Sequence, residues 1–168
     1  MSQTFLDENP PMILDATCSE WKRWPRFATL RFDIRREAEP DVQADVRHLP
    51  LRDSICDEVY FDPPFYVGKP SDFIFNRPHD STHRFNAYGW MESRPHWLKF
   101  LYGANKELRR VLKPSGSLHV KLTFGDGFAK KTETSLLSDF TRTKTQVLPR
   151  TNLISKAETQ LITMRPKP

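Results

Sequence analysis

Apolar residues along this chain come in short runs, and four of the runs in its first 62 residues close on an acid. Met12-Ile13-Leu14-Asp15 is the first, and Thr29-Leu30-Arg31-Phe32-Asp33 the second. Asp41-Val42-Gln43-Ala44-Asp45 is a shorter third, and Glu58-Val59-Tyr60-Phe61-Asp62 runs straight into Pro63-Pro64. Runs of this length, bounded by turn residues, predict buried parallel strands. Between the first two, Ala16-Thr17-Cys18-Ser19 is a set of small residues, and Glu20 to Pro25 leaves room for two helical turns at most. Ser93 with Pro95 predicts a helix start, and Trp97, Leu101, Ala104, Leu108 and Val111 then fall on one helical face. Lys113-Pro114-Ser115-Gly116 is expected to end it. Leu118, Val120, Leu122 and Phe124 alternate with polar residues as a fifth strand. A helix near Thr132–Phe140 follows, then strands near Lys144–Pro149 and Glu158–Met164. This order predicts an α/β fold: a mostly parallel sheet with helices on both faces and a C-terminal antiparallel hairpin. Its 168 residues suit one domain, with 1–11 as a short polar arm.

The stretch 66–90 breaks the pattern. It has no periodicity and mixes Phe73, Phe75, Phe85 and Tyr88 with Arg77, His79, His83 and Arg84. An aperiodic segment of this length is usually functional or mobile. Its composition suits gripping phosphates and stacking bases, with Arg77, Arg84, Phe85 and Tyr88 as the substrate-binding candidates, and a lid of no specific role is the plainer alternative. His79 and His83 stand four apart without a helical pattern or a third ligand, so no metal site is expected.

Composition narrows the choice. There are 6 glycines against 14 prolines, and none of the glycines precedes Gly68. Phosphate-cradling loops, whether the Walker type or GxGxxG, are therefore absent from the strand–turn positions where they would act. No run of about 18 apolar residues exists, so no membrane partner is expected. The opening segment lacks the basic and apolar blocks of a signal peptide, and the expected location is cytoplasmic. Cys18 and Cys56 fit no disulfide framework. A net charge of +5 points weakly to a polyanionic partner.

Acids at successive strand ends place the chemistry, because ligands of open parallel sheets bind outside the carboxyl ends of the strands. Asp33 follows Asp15 by 18 residues, close to the spacing of an acid that holds a ribose hydroxyl. A nucleoside cofactor without pyrophosphate fits, and S-adenosyl-L-methionine is the candidate. Asp15 would orient its ammonium group or a water, with the backbone of Ala16 to Ser19 contacting the rest. Asp62-Pro63-Pro64-Phe65 carries the reaction. The residue before proline is forced into an extended conformation, so Asp62 projects from its strand tip. Methylating an exocyclic amine requires acceptors for both amine hydrogens, so that a lone pair otherwise delocalised into the ring points at the methyl group. Asp62 and the Pro63 carbonyl supply acceptors, Pro64 stiffens the turn, and Phe65 stacks on a base taken out of its helix.

These residues resemble a family. From about Met12 to Phe124 the chain is similar to small class I S-adenosylmethionine-dependent methyltransferases with the amino-methyltransferase signature. Met12 to Ser19 stands in place of the glycine-rich first motif, Arg31-Phe32-Asp33-Ile34 resembles the ribose-binding segment, and Ala44-Asp45-Val46 the acid and apolar pair at the adenine. Asp57 to Phe65 resembles the catalytic strand, and Leu108 to Gly116 the stretch that follows the catalytic loop. The resemblance implies a Rossmann-like domain over 1–168 that binds the cofactor through Asp15, Ala16, Thr17, Cys18, Asp33, Ile34, Asp45 and Val46. It implies methyl transfer to a base amine of DNA or RNA, adenine N6 being favoured. The chain has no target-recognition domain, so the 66–90 loop or a protein partner would select the substrate. A catalytically silent subunit that keeps the fold as a binding or scaffolding partner is the alternative.

Overall fold

The structure is a computed structural model and describes residues 10–18, 25, 27–64, 66–67, 90–124, 128–149 and 158–168. The acid-tipped runs form β1 (Ile13–Asp15), β2 (Leu30–Asp33), β3 (Val42–Gln43) and β4 (Cys56–Phe61). Short strands β5 (Tyr66–Val67) and β6 (Trp90–Met91) follow. Helix α1 (Arg94–Val111) leads into β7 (Leu112–Phe124), and helix α2 (Phe128–Leu136) precedes β8 (Phe140–Val147) and β9 (Glu158–Pro166). Seven of the strands make one sheet in the order β3-β2-β1-β4-β7-β9-β8. The first five of these run parallel, and β9 is antiparallel to both β7 and β8. This is the predicted Rossmann-like α/β architecture. No described helix is long and apolar enough to cross a membrane.

Alternation decides which side chains meet the helices. Leu14, Phe32, Val59, Phe61, Leu118, Val120 and Leu122 join one core with Trp97, Phe100, Leu101, Ala104 and Leu108 of α1. Their neighbours point to the opposite face of the sheet, and these carry Arg31, Asp15, Glu58, Tyr60, His119 and Lys121. That face is polar, which an ordinary doubly wound sheet is not. The two described helices touch each other and β7. The two helical turns expected over Glu20 to Pro25 lie, apart from Pro25, outside the described residues.

Three boundaries differ from expectation, each for a packing reason. Lys113 to Gly116 does not separate helix from strand. Leu112 is the extended cap of α1 and already pairs with Cys56, while Ser117 pairs with Glu58. Burial of Leu112 pulls the chain directly into the sheet, and the residues between are extruded opposite a single residue of β4. Pro114, which cannot donate to a ladder, sits in that excursion. Helix α2 starts earlier than expected, because Ala129, Thr132 and Leu136 are its buried positions. Strand β8 also starts earlier, at Phe140, and only that residue is buried. The rest is a polar edge strand of three threonines with Arg142 and Lys144, a composition that discourages pairing with other chains.

Gly116 closes the excursion where no side chain fits. A Cβ there would lie 2.9 Å from the Asp57 carbonyl oxygen and 2.8 Å from a Leu112 methyl. Gly116→Ala should therefore destabilise the fold by about 1–3 kcal/mol, the usual cost of overpacking, read as a lower urea midpoint at unchanged m.

Candidate active site

In the sheet order, β1 stands between β2 and β4, so the strand sequence reverses beside it, and the carboxyl ends of β1 and β4 are where an open sheet of this kind binds its ligand. Asp15 and Asp33 are the last residues of β1 and β2, Asp62 follows β4 by one position, and Asp45 follows β3 by two. All four acids therefore gather along one edge, as expected, but each is held differently.

Asp15 is 2% exposed. One carboxylate oxygen accepts the Thr17 backbone N–H at 3.3 Å, and Oδ2 is buried with no partner among the described residues. Burial pushes its pKa up to about 7; the Thr17 bond and Arg31 pull it down, and Asp62 and Asp33 add to the rise. The turn beyond it is closed by the sheet. The Ala16 and Cys18 amides donate to Tyr60 and Phe32 carbonyls, both at 2.9 Å, and the Cys18 thiol, pushed up to about 12 by burial, points at the Ala38 carbonyl. Ala16, Thr17 and Cys18 thus spend their backbone donors internally, unlike a phosphate-binding loop.

Asp33 and Asp45 share a device. Arg35, two residues after Asp33, donates its backbone N–H and Nε to Oδ1 and its Nη2 to Oδ2 at 3.0 Å. Arg47, two residues after Asp45, clamps that carboxylate in the same way. Partial burial raises the Asp45 carboxyl, but the Arg47 bonds outweigh it and hold it below the usual range. The apolar residues between acid and arginine part company. Ile34 is 60% exposed beside the site, while Val46 is buried in the core.

At the tip of β4 the Asp62 N–H donates to the Thr17 hydroxyl at 2.9 Å. Thr17 therefore links the Asp15 turn to the Asp-Pro-Pro segment. Asp62 Oδ2 forms an ion pair with Lys121 of β7, both side chains being mostly buried. The Pro64 carbonyl accepts the indole N–H of Trp97 at 2.9 Å, and Trp97 is fully buried at the start of α1. Below the Asp62–Lys121 pair, Tyr60 stacks on His119 at 4.4 Å. Glu58 meets both, and burial lowers the His119 pKa against the pull of Glu58.

Lys121 and Trp97 escaped the sequence reading, which assigned Trp97 to packing alone. The signal for Lys121 was the β7 alternation, which turns it away from the core, but only the Phe61–Val120 register places it beside Asp62. Arg35 and Arg47 were visible as an Asp-x-Arg repeat in Asp33-Ile34-Arg35 and Asp45-Val46-Arg47. Phe65, Arg77, Arg84, Phe85 and Tyr88 lie outside the described residues, as do His79 and His83. The two ends of the 66–90 stretch are tied, since Tyr66–Val67 pairs in parallel with Trp90–Met91. Among the described residues no three metal-ligating side chains gather.

No family model matches the chain, and no curated protein matches it in sequence. Its likeness is to solved structures of class I S-adenosylmethionine-dependent methyltransferases, whose Rossmann-like fold it has. One is the 1,6-didemethyltoxoflavin-N1-methyltransferase of Burkholderia thailandensis with bound 1,6-didemethyltoxoflavin and S-adenosylhomocysteine. It aligns at a TM-score of 0.57 and 15% identity over 95% of this chain and 72% of that one. Another is the N-methyltransferase NodS of Bradyrhizobium japonicum WM9 with S-adenosylhomocysteine, at a TM-score of 0.56 and 10% identity over 93% and 78% of the chains. The [4+2]-cyclase SpnF aligns at 0.52 and 14% identity over 92% and 74%. Identities this low establish fold.

The buried Asp15 makes stability depend on pH. Its carboxyl ionises near 7 in the folded chain and near 4 when unfolded, so the folded state holds the extra proton between those values. Stability should fall as pH rises through that window and level off above it. Asp15→Asn, which cannot ionise, should melt higher than the parent at pH 8, with the gap closing toward pH 5. A constant gap across that range would contradict the assignment.

Proposed function

We propose that this chain is an S-adenosylmethionine-dependent methyltransferase acting on an exocyclic amine of a nucleic-acid base in DNA or RNA, with adenine N6 favoured. The observation that carries the reading is the Thr17 bridge, which couples the acid-tipped turn of β1 to the Asp62-Pro63-Pro64 tip of β4. The residues present suit the cofactor. The unpartnered Oδ2 of Asp15 offers an acceptor to an ammonium group, and Asp33 keeps acceptor capacity on Oδ2 beyond its Arg35 bond. Exposed Ile34 offers an apolar surface to a nucleobase. The self-satisfied amides of residues 16–18 suit a ligand without pyrophosphate.

Bound S-adenosylmethionine supplies an electrophilic methyl group on a sulfonium. The chain's own residues prepare the amine. Lys121 engages Asp62 Oδ2 and leaves Oδ1 as the acceptor for one amine hydrogen. The Pro63 carbonyl takes the other, and Phe65 stacks on the base. Trp97 ties the neighbouring Pro64 carbonyl back to α1, which fixes the turn that aims Pro63. With both hydrogens held, the nitrogen lone pair points out of the ring plane. Transfer would break the sulfonium S–CH3 bond, leaving a neutral thioether, as the N–C bond forms; the Asp62 carboxylate would stabilise the positive charge gained by the nitrogen and receive its departing proton.

Incubating the full chain with methyl-labelled cofactor and separate DNA and RNA pools, then digesting to nucleosides, tests the reading. Label on a base amine supports it. Calorimetric cofactor binding with no labelled nucleoside would favour the alternative, a catalytically silent subunit whose target a partner protein supplies. Asp62→Ala should cut single-turnover transfer by about 10²-fold or more while cofactor affinity stays within a few-fold. Trp97→Phe keeps an aromatic ring in the core but loses the N–H and part of the indole's volume. It should slow transfer by roughly tenfold, the loss of about one hydrogen bond, again without altering cofactor affinity.

A further inference from the structure

The outer face of α1 carries cations that have no counterion among the described residues. Arg94, Lys99 and Lys106 are exposed and make no ion pair among the described residues, and Arg109 uses one nitrogen on the Lys167 carbonyl. The helix has a single acid, Glu107, and that carboxylate is already held by Arg110 and the Leu49 N–H. Between the cations stand Tyr102, 70% exposed, and Leu98, 45% exposed. Lys99, Tyr102 and Lys106 follow at intervals of three and four, so they share one stripe. From Lys99 to Arg109 the stripe runs about 15 Å.

Two features single this face out. The opposite side of α1 is spent on the core, through Trp97, Phe100, Leu101, Ala104 and Leu108. Through Trp97 on that core side the first turn of α1 is bonded to the Pro64 carbonyl, so the stripe, on the far side of the helix, is held in fixed register with the Asp62-Pro63-Pro64 turn. A row of unneutralised cations with a free aromatic ring matches a phosphate backbone whose bases are unpaired, because a stacked base needs an open face.

We propose that this face of α1 is a docking track for single-stranded nucleic acid, leading the strand to the turn at Asp62. The proposal rests on the base-methylation reading and assigns it a surface. Phosphates lie along Lys99, Lys106 and Arg109, a base stacks on Tyr102, and Leu98 packs beside it. An acidic protein segment would meet the same charges but would have no flat partner for Tyr102.

The test is fluorescence anisotropy of labelled single-stranded DNA and RNA oligonucleotides with the full chain across a salt series. The double variant Lys99→Glu/Lys106→Glu should bind roughly 10–100-fold more weakly at about 50 mM salt. The slope of log affinity against log salt should shrink by about 1.4, two contacts at about 0.7 each. Lys99→Gln/Lys106→Gln should lose the same slope with a smaller loss of affinity, and melting temperatures of both should match the parent. Tyr102→Ala should weaken binding by roughly tenfold or more with the slope unchanged. Unchanged affinity and slope in both lysine variants would overturn the track, as would an oligoglutamate peptide competing as well as the oligonucleotide at equal charge. The two readings fail separately. Asp62-dependent base methylation with α1-independent binding removes the track alone, whereas α1-dependent binding with no base methylated removes the catalytic reading and leaves the track.

Discussion

The site depends on the parallel pairing of β1 with β4. Ile13 to Asp15 pairs with Glu58 to Tyr60 in strict register, so the two strands end at the same level. The pairing continues past the strands. Ala16 donates to the Tyr60 carbonyl, and one residue further the Thr17 hydroxyl takes the Asp62 N–H. Those two bonds fix the distance between Asp15 and Asp62, the two acids to which the proposed reading gives the cofactor and the substrate amine. A slip of one residue would turn Leu14 out of the core and Asp15 into it, and the burial of both makes that costly.

Much of this was legible because acids close apolar runs. A carboxylate at the end of a buried run has one place to go, the strand tip, so Asp15, Asp33, Asp45 and Asp62 could be put at one edge from sequence. Helix α1 was legible for the same reason, its apolar spacing being unbroken from Trp97 to Val111. What stayed hidden depended on register or on local chain pull. Lys121 reads as one more polar residue of an alternating strand until the β4–β7 pairing sets it against Asp62. Lys113-Pro114-Ser115-Gly116 marks the helix stop, which falls at Val111, but it hides that the buried Leu112 already belongs to the next strand. The early start of β8 stayed hidden because, after Phe140, none of its residues is buried on either face, so there is no burial periodicity to read.

The polar face of the sheet follows from the same site. Alternation that buries Val59, Phe61, Leu118 and Val120 under α1 must send Tyr60, Asp62, His119 and Lys121 to the other face. That face cannot be a dry core, because its charges need partners, and the chain supplies them pairwise: Asp62 with Lys121, Glu58 with Tyr60 and His119, and Arg31 with Asp41. The glycine-free first turn fits this economy. Small residues there let the turn bond back to β2 and β4, which closes it without leaving amides exposed to a phosphate.

Four acids on one edge would repel one another, and the way they are neutralised says what is missing. Asp33 has the guanidinium of Arg35, Asp45 that of Arg47, and Asp62 the ammonium of Lys121. Asp15 has a backbone N–H and an empty oxygen, and it answers with a pKa near 7. Burial is the chief cause of that rise, and Arg31, which pairs with Asp41, offsets only part of it. On the proposed reading a cation arrives with the ligand, since S-adenosylmethionine carries both an ammonium and a sulfonium. Binding would then draw the proton from Asp15 and complete the charge balance of the edge. A neutral adenosine would leave the carboxyl protonated and gain nothing from it. The demethylated product keeps the ammonium and loses the sulfonium, so it keeps only part of the attraction. On that reading the edge would be matched to the charged methyl donor more closely than to an uncharged nucleoside, through the one of its four acids that has no ion pair among the described residues.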